Sequence, residues 1–280
     1  MPEQPSTGTW RRRLRISVRG LMAFVLLVGG GLGWVIHRAH VQRDAVAAIR
    51  RVGGEAAYNW EWSNGSPVTP RSKPPWPDWV RRILGPDFLD TVTFVRLMGP
   101  QCDDESLRAA CRLPWLEKLT VLNSSATDEA SEGIRYLTNL RLLDFRLNPG
   151  VTRRTLRHIG ALGELRTLTL SFKLFPVPAT DEDMAFLRRL TKLQHLNLYT
   201  ANLDDGWLVY LEGLTNLKSL HLTETSMTAE GLDHLKGLSS LTAILNLHGT
   251  VFTLTRPSMT KAELAKRGQM LRRIRLIRGE

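Results

Sequence analysis

The feature that most restricts what this chain can fold into is a spacing of aliphatic side chains that keeps returning. From Val92 onward a short LxxLxL strand signature is followed by a polar or small residue and then by a capped amphipathic helix, and this unit appears eight times. The strand-opening positions are Val92, Leu116, Leu140, Leu165, Leu193, Leu217, Thr242 and Leu271, giving steps of 24, 24, 25, 28, 24, 25 and 29 residues. One such unit has an apolar face that it cannot shield alone, so successive units must stack, strands aligning in a parallel sheet and helices lying behind. The expected fold is therefore an α/β solenoid, a curved parallel sheet with outer helices.

The clearest strand reads LRLLDFRLN, in which Leu140, Leu143 and Phe145 point inward and Asn148 is placed to bond the turning backbone with its side-chain amide. In other units Ser124, Thr225 and Thr250 take the place of Asn148. Helix starts are marked by Asp103, Thr127, Thr152, Asp181, Asp204, Thr228 and Thr260, several with a carboxylate in the next turn. Pairs such as Asp103 with Asp104, or Asp181 with Asp183, could be taken for metal or acid-base groups. Their recurrence at helix N-termini, where the helix dipole favours anions, makes them structural.

The strand rhythm, together with SMTAEGLDHLKGL from Ser226 to Leu238, resembles the short-repeat bacterial leucine-rich repeat proteins with units of about 24 residues. That resemblance implies protein recognition on the concave face, with partners differing from member to member. Two units depart from the pattern, SFKLFPVPATDED lengthening the one opened at Leu165 and VFTLTRPSMTKAE the one opened at Thr242. These are either partner-contacting loops on one rim or loop variation without a role.

Period-two alternation reads the concave surface from the sequence. The first three strands offer Phe94, Arg96, Met98, Lys118, Leu122, Leu142, Asp144 and Arg146, and the later ones His195, Asn197, Tyr199, His221, Thr223, Asn246 and His248. The candidate partner-binding set is Arg146, His195, Asn197, Tyr199, His221, Asn246 and His248. No metal is expected there, because the histidines fall on successive strands with a diagonal offset: strands lie ~4.8 Å apart and each two-residue offset adds ~7 Å.

Charge divides the chain in three. Of the formal +11, residues 1–90 carry +6 and residues 257–280 carry +5, while residues 91–256 hold 18 basic and 18 acidic side chains. The repeats therefore present no net field for phosphate, and no nucleic-acid partner is expected. Cys102 and Cys111 are too few for a disulfide framework and lack zinc-ligand spacing, so they read as free thiols, with a single bridge between them as the alternative for a domain outside the cytoplasm. No HExxH, GxSxG, P-loop or CxxC pair occurs, so neither an enzyme nor a cofactor is expected.

The N-terminal region predicts a membrane anchor. Gly20 to Ile36 is a run of 17 uncharged, mostly apolar residues, at the short end of the ~17 to 25 needed to cross hydrocarbon. No small-residue cleavage site follows it, so a single transmembrane helix over residues 16–37 is expected rather than a signal peptide. Arg11, Arg12, Arg13, Arg15 and Arg19 precede it, which predicts a cytoplasmic tail over residues 1–15, a plasma (inner) membrane location and an extracytoplasmic repeat domain. Gly29 and Gly33 form a GxxxG spacing, read either as a weak self-association face or as an incidental small-residue patch.

The remaining organisation is a juxtamembrane helix, strand and Pro-rich linker over residues 38–77, a solenoid cap over 78–91, repeats over 92–256 and a C-terminal repeat or cap over 257–280. The juxtamembrane helix RDAVAAIRRV is stopped by Gly53 and Gly54, EAAYNWEW alternates Tyr58, Trp60 and Trp62 as a strand, and DWVRRILG reads as the capping helix, with Asp78 as its cap. The terminal segment opens with a Thr260–Glu263 capping box and offers Leu271, Ile274 and Leu276 as a last strand. The functional expectation is a membrane-anchored module for protein recognition or scaffolding through its concave face. The alternative is an accessory or catalytic component of a cell-envelope enzyme with its site on that face.

Overall fold

The computed structural model describes residues 18–63, 66–67, 75–171, 180–199, 205–222, 231–246 and 250–253. It opens with one continuous helix of 34 residues, α1 (Val18–Arg51), whose two halves have different surroundings. Met22, Val25, Leu26, Leu27, Val28, Leu32 and Trp34 are exposed, whereas Ala39, Ala45, Val46 and Ile49 are buried in the core. Gly53, at φ 76°, stops the helix, and Gly54 donates to the Ile49 carbonyl at 2.9 Å. A side chain on Gly54 would meet that same carbonyl at 2.9 Å, so only glycine lets the chain turn this tightly.

Among the described residues no helix is long and apolar enough to cross a membrane. This corrects the span expected over residues 16–37, and the inner-membrane location and topology inferred from it fall with it. The apolar run is not a self-contained element: it continues without a break through Arg38, Gln42, Arg43 and Asp44 into a half that packs on the repeats. Gly29, Gly30, Gly31 and Gly33 add no side-chain surface to it.

After α1 comes β1 (Glu55–Tyr58), then a small hairpin of β2 (Trp62–Ser63) and β3 (Ser66–Pro67). Two short helices follow, α2 (Asp78–Leu84) and α3 (Pro86–Leu89). The expected cap, α2, buries none of its residues, leaves Trp79 and Ile83 exposed, and has Pro77 rather than Asp78 at its N-cap position. The first repeat is covered instead by β1, which runs antiparallel to β4 (Val92–Met98), and by the second half of α1. Gln42 pins that helix to the sheet, donating to the Asp90 carbonyl at 3.0 Å and accepting from the Val92 amide at 3.1 Å. The physical reason is size: Ala45, Val46 and Ile49 offer an apolar stripe on a long helix, which α2 with seven residues cannot match.

From β4 the sheet adds one strand per repeat: β5 (Lys118–Leu122), β6 (Leu142–Arg146), β7 (Thr167–Ser171), β8 (His195–Tyr199), β9 (Ser219–Leu222) and β10 (Ala243–Asn246), all parallel. Sheet order equals chain order, and Leu119, Leu143, Leu168, Leu196 and Leu220 lie in one register row, each fully buried. Behind the sheet lie α4 (Asp104–Cys111), α5 (Asp128–Ser131) and α6 (Arg153–Ile159), then 3₁₀ turns at Asp181–Arg189, Gly206–Leu211 and Gly231–Leu235. This is a leucine-rich repeat solenoid. At its far end β11 (Thr250–Thr253) folds back antiparallel on β10, where the sequence had suggested only a lengthened loop. The expected terminal elements at Thr260, Leu271, Ile274 and Leu276 lie outside the described residues.

Polar ties join each repeat to the next. Buried Asn148 accepts from the Ser124 amide and hydroxyl at 2.9 and 2.8 Å and donates to the Val121 carbonyl at 3.0 Å. Beside it, Asn123 and Leu147 occupy the left-handed region at φ 53° and 57°, one repeat apart, so the chain turns the same way after both strands. The helix-start acids tie repeats as well. Asp103 caps its own helix through the Ser106 amide at 3.0 Å, while Asp104 accepts from the Thr127 amide and hydroxyl of the next unit at 2.6 and 2.9 Å. Asp128 repeats that role for Thr152 and adds the Thr155 hydroxyl at 2.7 Å. At Asp181 the cap is the preceding Thr180, in a capping box with Asp183. Asp204 and Thr228 lie outside the described residues.

Partial burial pushes the Asp128 pKa up, but the bonds from Thr152 and Thr155 together outweigh it and hold the carboxyl below its ordinary value. A depressed folded pKa means that the stabilisation is present above the unfolded value of ~4 and is lost as pH falls through the folded one. Thermal melts should therefore show the wild-type chain losing more Tm between pH 6 and pH 3 than Asp128→Asn, which lacks the titrating group. Equal losses would mean that this carboxylate is not coupled to folding.

Candidate binding surface

The outer face of the sheet is built by the alternation that fills the core. In β5, β6 and β8 every second residue is buried and the intervening ones are partly open, so Lys118, Leu142, Thr167, His195 and Ser219 form one register row. Thr120, Asp144, Thr169, Asn197 and His221 form the next row along the strands.

The candidate residues on β6, β8 and β9 come together on this face. Arg146 is held in a two-pronged ion pair by Asp144, Nε to Oδ1 at 2.6 Å and a terminal nitrogen to Oδ2 at 2.7 Å. Its guanidinium lies 5.6 Å from the centre of the Tyr199 ring, and Tyr199 in turn meets the His221 ring at 5.5 Å and 59°. Arg146 and Tyr199 sit on strands separated by β7, a distance of ~9.6 Å at the usual sheet spacing. The contact exists because β7 presents only small side chains there, Thr169 and Ser171. Thr169 also receives the Asn197 amide at 3.1 Å, and His195 Nδ1 lies 2.7 Å from the Ser219 hydroxyl.

The electrostatics are nearly balanced. The Asp144 hydrogen bond holds the Arg146 guanidinium yet more firmly protonated, and the carboxylate cancels its charge at once. Burial pushes the pKa values of His195 and His221 below the ordinary histidine value, with Lys218 adding to the effect at His195. Both imidazoles are therefore neutral at pH 7, and the surface offers hydrogen bonds and aromatic area rather than net charge. Among the described residues no three His, Cys, Asp or Glu side chains are grouped to hold a metal ion.

The last strand departs from expectation. The register sets Leu245, not Asn246, beside His221, and puts Asn246 opposite inward-facing Leu222. The expected strand opener, Thr242, is exposed and Leu241, one position earlier, is buried; a one-residue slip exchanges the two faces of a strand. Asn246 thus falls in a different register row from Asn197 and His221, and His248 and Thr223 lie outside the described residues. The sequence reading also missed Thr169, Ser171 and Ser219 as participants; the signal was their small size opposite larger neighbours.

Cys102 is buried and Cys111 partly so, and both are free thiols. Burial pushes the Cys111 thiol up to about 12, which leaves it un-ionised and unreactive at neutral pH.

No family model matches the chain, and no curated protein does. Solved structures are similar over part of it. Internalin C2 from Listeria monocytogenes is 21% identical, with a TM-score of 0.43 over 55% of this chain and 61% of that one. The Listeria monocytogenes internalin inlF is 20% identical, with a TM-score of 0.37 over 57% and 48%. The ectodomain of the Arabidopsis receptor kinase HAESA, in complex with an IDA peptide hormone, is 18% identical, with a TM-score of 0.34 over 76% and 42%. The chain thus spans less than two thirds of each of these proteins. None of the scores reaches 0.5, so the functional reading rests on the geometry of the chain itself.

Proposed function

We propose that this solenoid is a recognition module that binds a protein partner on the open face of β6 to β9. The observation carrying this reading is the connected set Asp144, Arg146, Tyr199 and His221, spread over three strands of one rigid sheet. Arginine and tyrosine with a pre-ordered geometry are the residue types that dominate protein interfaces, because ordering them on binding costs little further entropy. The near-neutral electrostatics favour a partner that brings hydrogen-bonding and apolar groups rather than a strongly charged one. A scaffolding role is the same reading with more than one partner.

The test uses the full chain, since cutting before Asp78 would remove the covering half of α1. A photo-crosslinking residue placed at partly open Thr167 on β7 is expected to capture a discrete protein, and one placed at exposed Arg157 on α6 is not. Arg146→Ala and Tyr199→Ala should each weaken binding of the captured protein about tenfold or more. Binding indifferent to both substitutions, or capture from Arg157 alone, would remove this face from consideration.

A further inference from the structure

We propose a second, separate site: a groove along the rim where β4, β5 and β6 begin, suited to a neutral oligosaccharide. The groove has a volume of about 410 Å³, and Thr93, Trp115, Glu117, Asn139, Arg141 and Glu164 line it. Small-ligand clefts run from ~300 to 1,000 Å³ and are mostly apolar. This one is polar, apart from a single tryptophan that stands 45% exposed just before β5.

Three observations select the ligand class. First, the backbone along the rim is already satisfied: the Glu117 amide donates to the Thr93 carbonyl at 2.9 Å, Arg141 to Glu117 at 2.7 Å and Arg166 to Arg141 at 2.8 Å. An extended peptide would find no carbonyl row here to pair with, so recognition must come from side chains. Second, the charges alternate. Arg141 pairs with Glu117 at 3.5 Å, and Glu164 pairs with Lys192. Of the lining side chains two are carboxylates and one is a guanidinium, so the groove does not favour a phosphate or a polyanion. Third, Asn139 uses its amide NH₂ on the Pro114 carbonyl at 2.9 Å and keeps Oδ1 as an acceptor, beside carboxylates that accept and a guanidinium that donates.

A ligand that meets all three conditions is uncharged, rich in hydroxyl groups that both donate and accept, and has an apolar face to lie on an indole ring. A pyranose fits: its axial C–H bonds cover one face, and its hydroxyls ring the edge. The indole supplies the flat amphipathic platform, and the Glu117, Asn139 and Arg141 side chains supply directional bonds.

The experiment incubates the full chain on an array of neutral linear oligosaccharides of two to six sugars, with Trp115→Ala, Trp115→Phe and Glu117→Gln in parallel, each checked by its thermal melt. Wild-type protein is expected to bind a subset of the glycans. Trp115→Ala should weaken that binding about tenfold, Trp115→Phe should retain most of it, and Glu117→Gln should weaken it without lowering Tm. Absence of any bound glycan, or binding equally strong in Trp115→Ala, overturns the proposal. Because the groove and the β6 to β9 face share no residue, either result leaves the protein-partner reading to its own test.

Discussion

Replacing Ile49 with aspartate is expected to detach the N-terminal cap and to destabilise that end of the chain by ~4 kcal/mol or more, the range of an unpaired charge placed in a packed core. Ile49 is fully buried in the same core as Val95, Leu97 and Leu107 of the first repeat. The carboxylate has two outcomes open to it, protonation in an apolar site or exposure by undocking, and both cost stability. In a solenoid each unit rests mainly on its neighbours, so the damage should be graded along the chain. Hydrogen exchange should accelerate first in β1 and in the second half of α1, while amides of β6 to β8 keep their protection. Ile49→Val, which removes one methylene, should cost only ~0.5 to 1.5 kcal/mol and leave the exchange pattern intact. Unchanged exchange in β1 of the aspartate variant would show that α1 is not the cap.

Asn148→Leu is expected to cost ~3 kcal/mol. The side chain is 4% exposed, and its amide satisfies the Ser124 N–H and the Val121 carbonyl, which belong to the preceding repeat. A leucine of similar size fills the space and satisfies neither, and each buried backbone group left without a partner costs ~1 to 3 kcal/mol. Chemical denaturation with fluorescence detection gives the number directly. Because Asn148 follows Arg146 by two residues, the same variant should also loosen the Asp144–Arg146–Tyr199 arrangement and weaken partner binding. A loss under about 1 kcal/mol would show that water takes over the amide's bonds and that the turn does not depend on them.

Much of the interior was legible because it obeys one local rule repeated many times. Leu116, Leu119 and Val121 in one unit, and Leu140, Leu143 and Phe145 in the next, are buried as their spacing requires. Asp103 and Thr152 cap helices where their positions before apolar runs predict caps. Legibility failed where a choice lay between two local readings of equal quality. In LTAILNL either Leu241 or Thr242 can open the strand, and only pairing with β9 selects the register, which sets Asn246 opposite Leu222. The same holds for Gly20 to Ile36, where apolar composition alone suggested a separate membrane element. The structure instead continues the helix into residues that dock on the first repeat, and no described helix meets the length and apolarity of a span.

The binding surface was half legible. Alternation named Arg146, His195, Asn197, Tyr199 and His221 as neighbours on one face, but it could not say which of them touch. Arg146 reaches Tyr199 across an intervening strand because Thr169 and Ser171 are short, and that depends on strand spacing and side-chain length together. The rim groove was not legible at all. Trp115, Asn139 and Glu164 are each followed by a buried strand-opening leucine, Leu116, Leu140 and Leu165, and only stacking brings these corresponding positions into one groove.

By itself, then, the sequence determined that units of this spacing must stack with aliphatic side chains inward, because no isolated unit can hide them from water. Among the described residues, tertiary structure alone decided what flanks the stack, through α1 with β1 on one side and β11 on the other, and in which register β10 lies. The reason is that burial within a repeat is dictated by neighbours 24 or so residues away in a fixed pattern, whereas an end is closed by whichever apolar segment docks there best, and that competition is settled only in three dimensions.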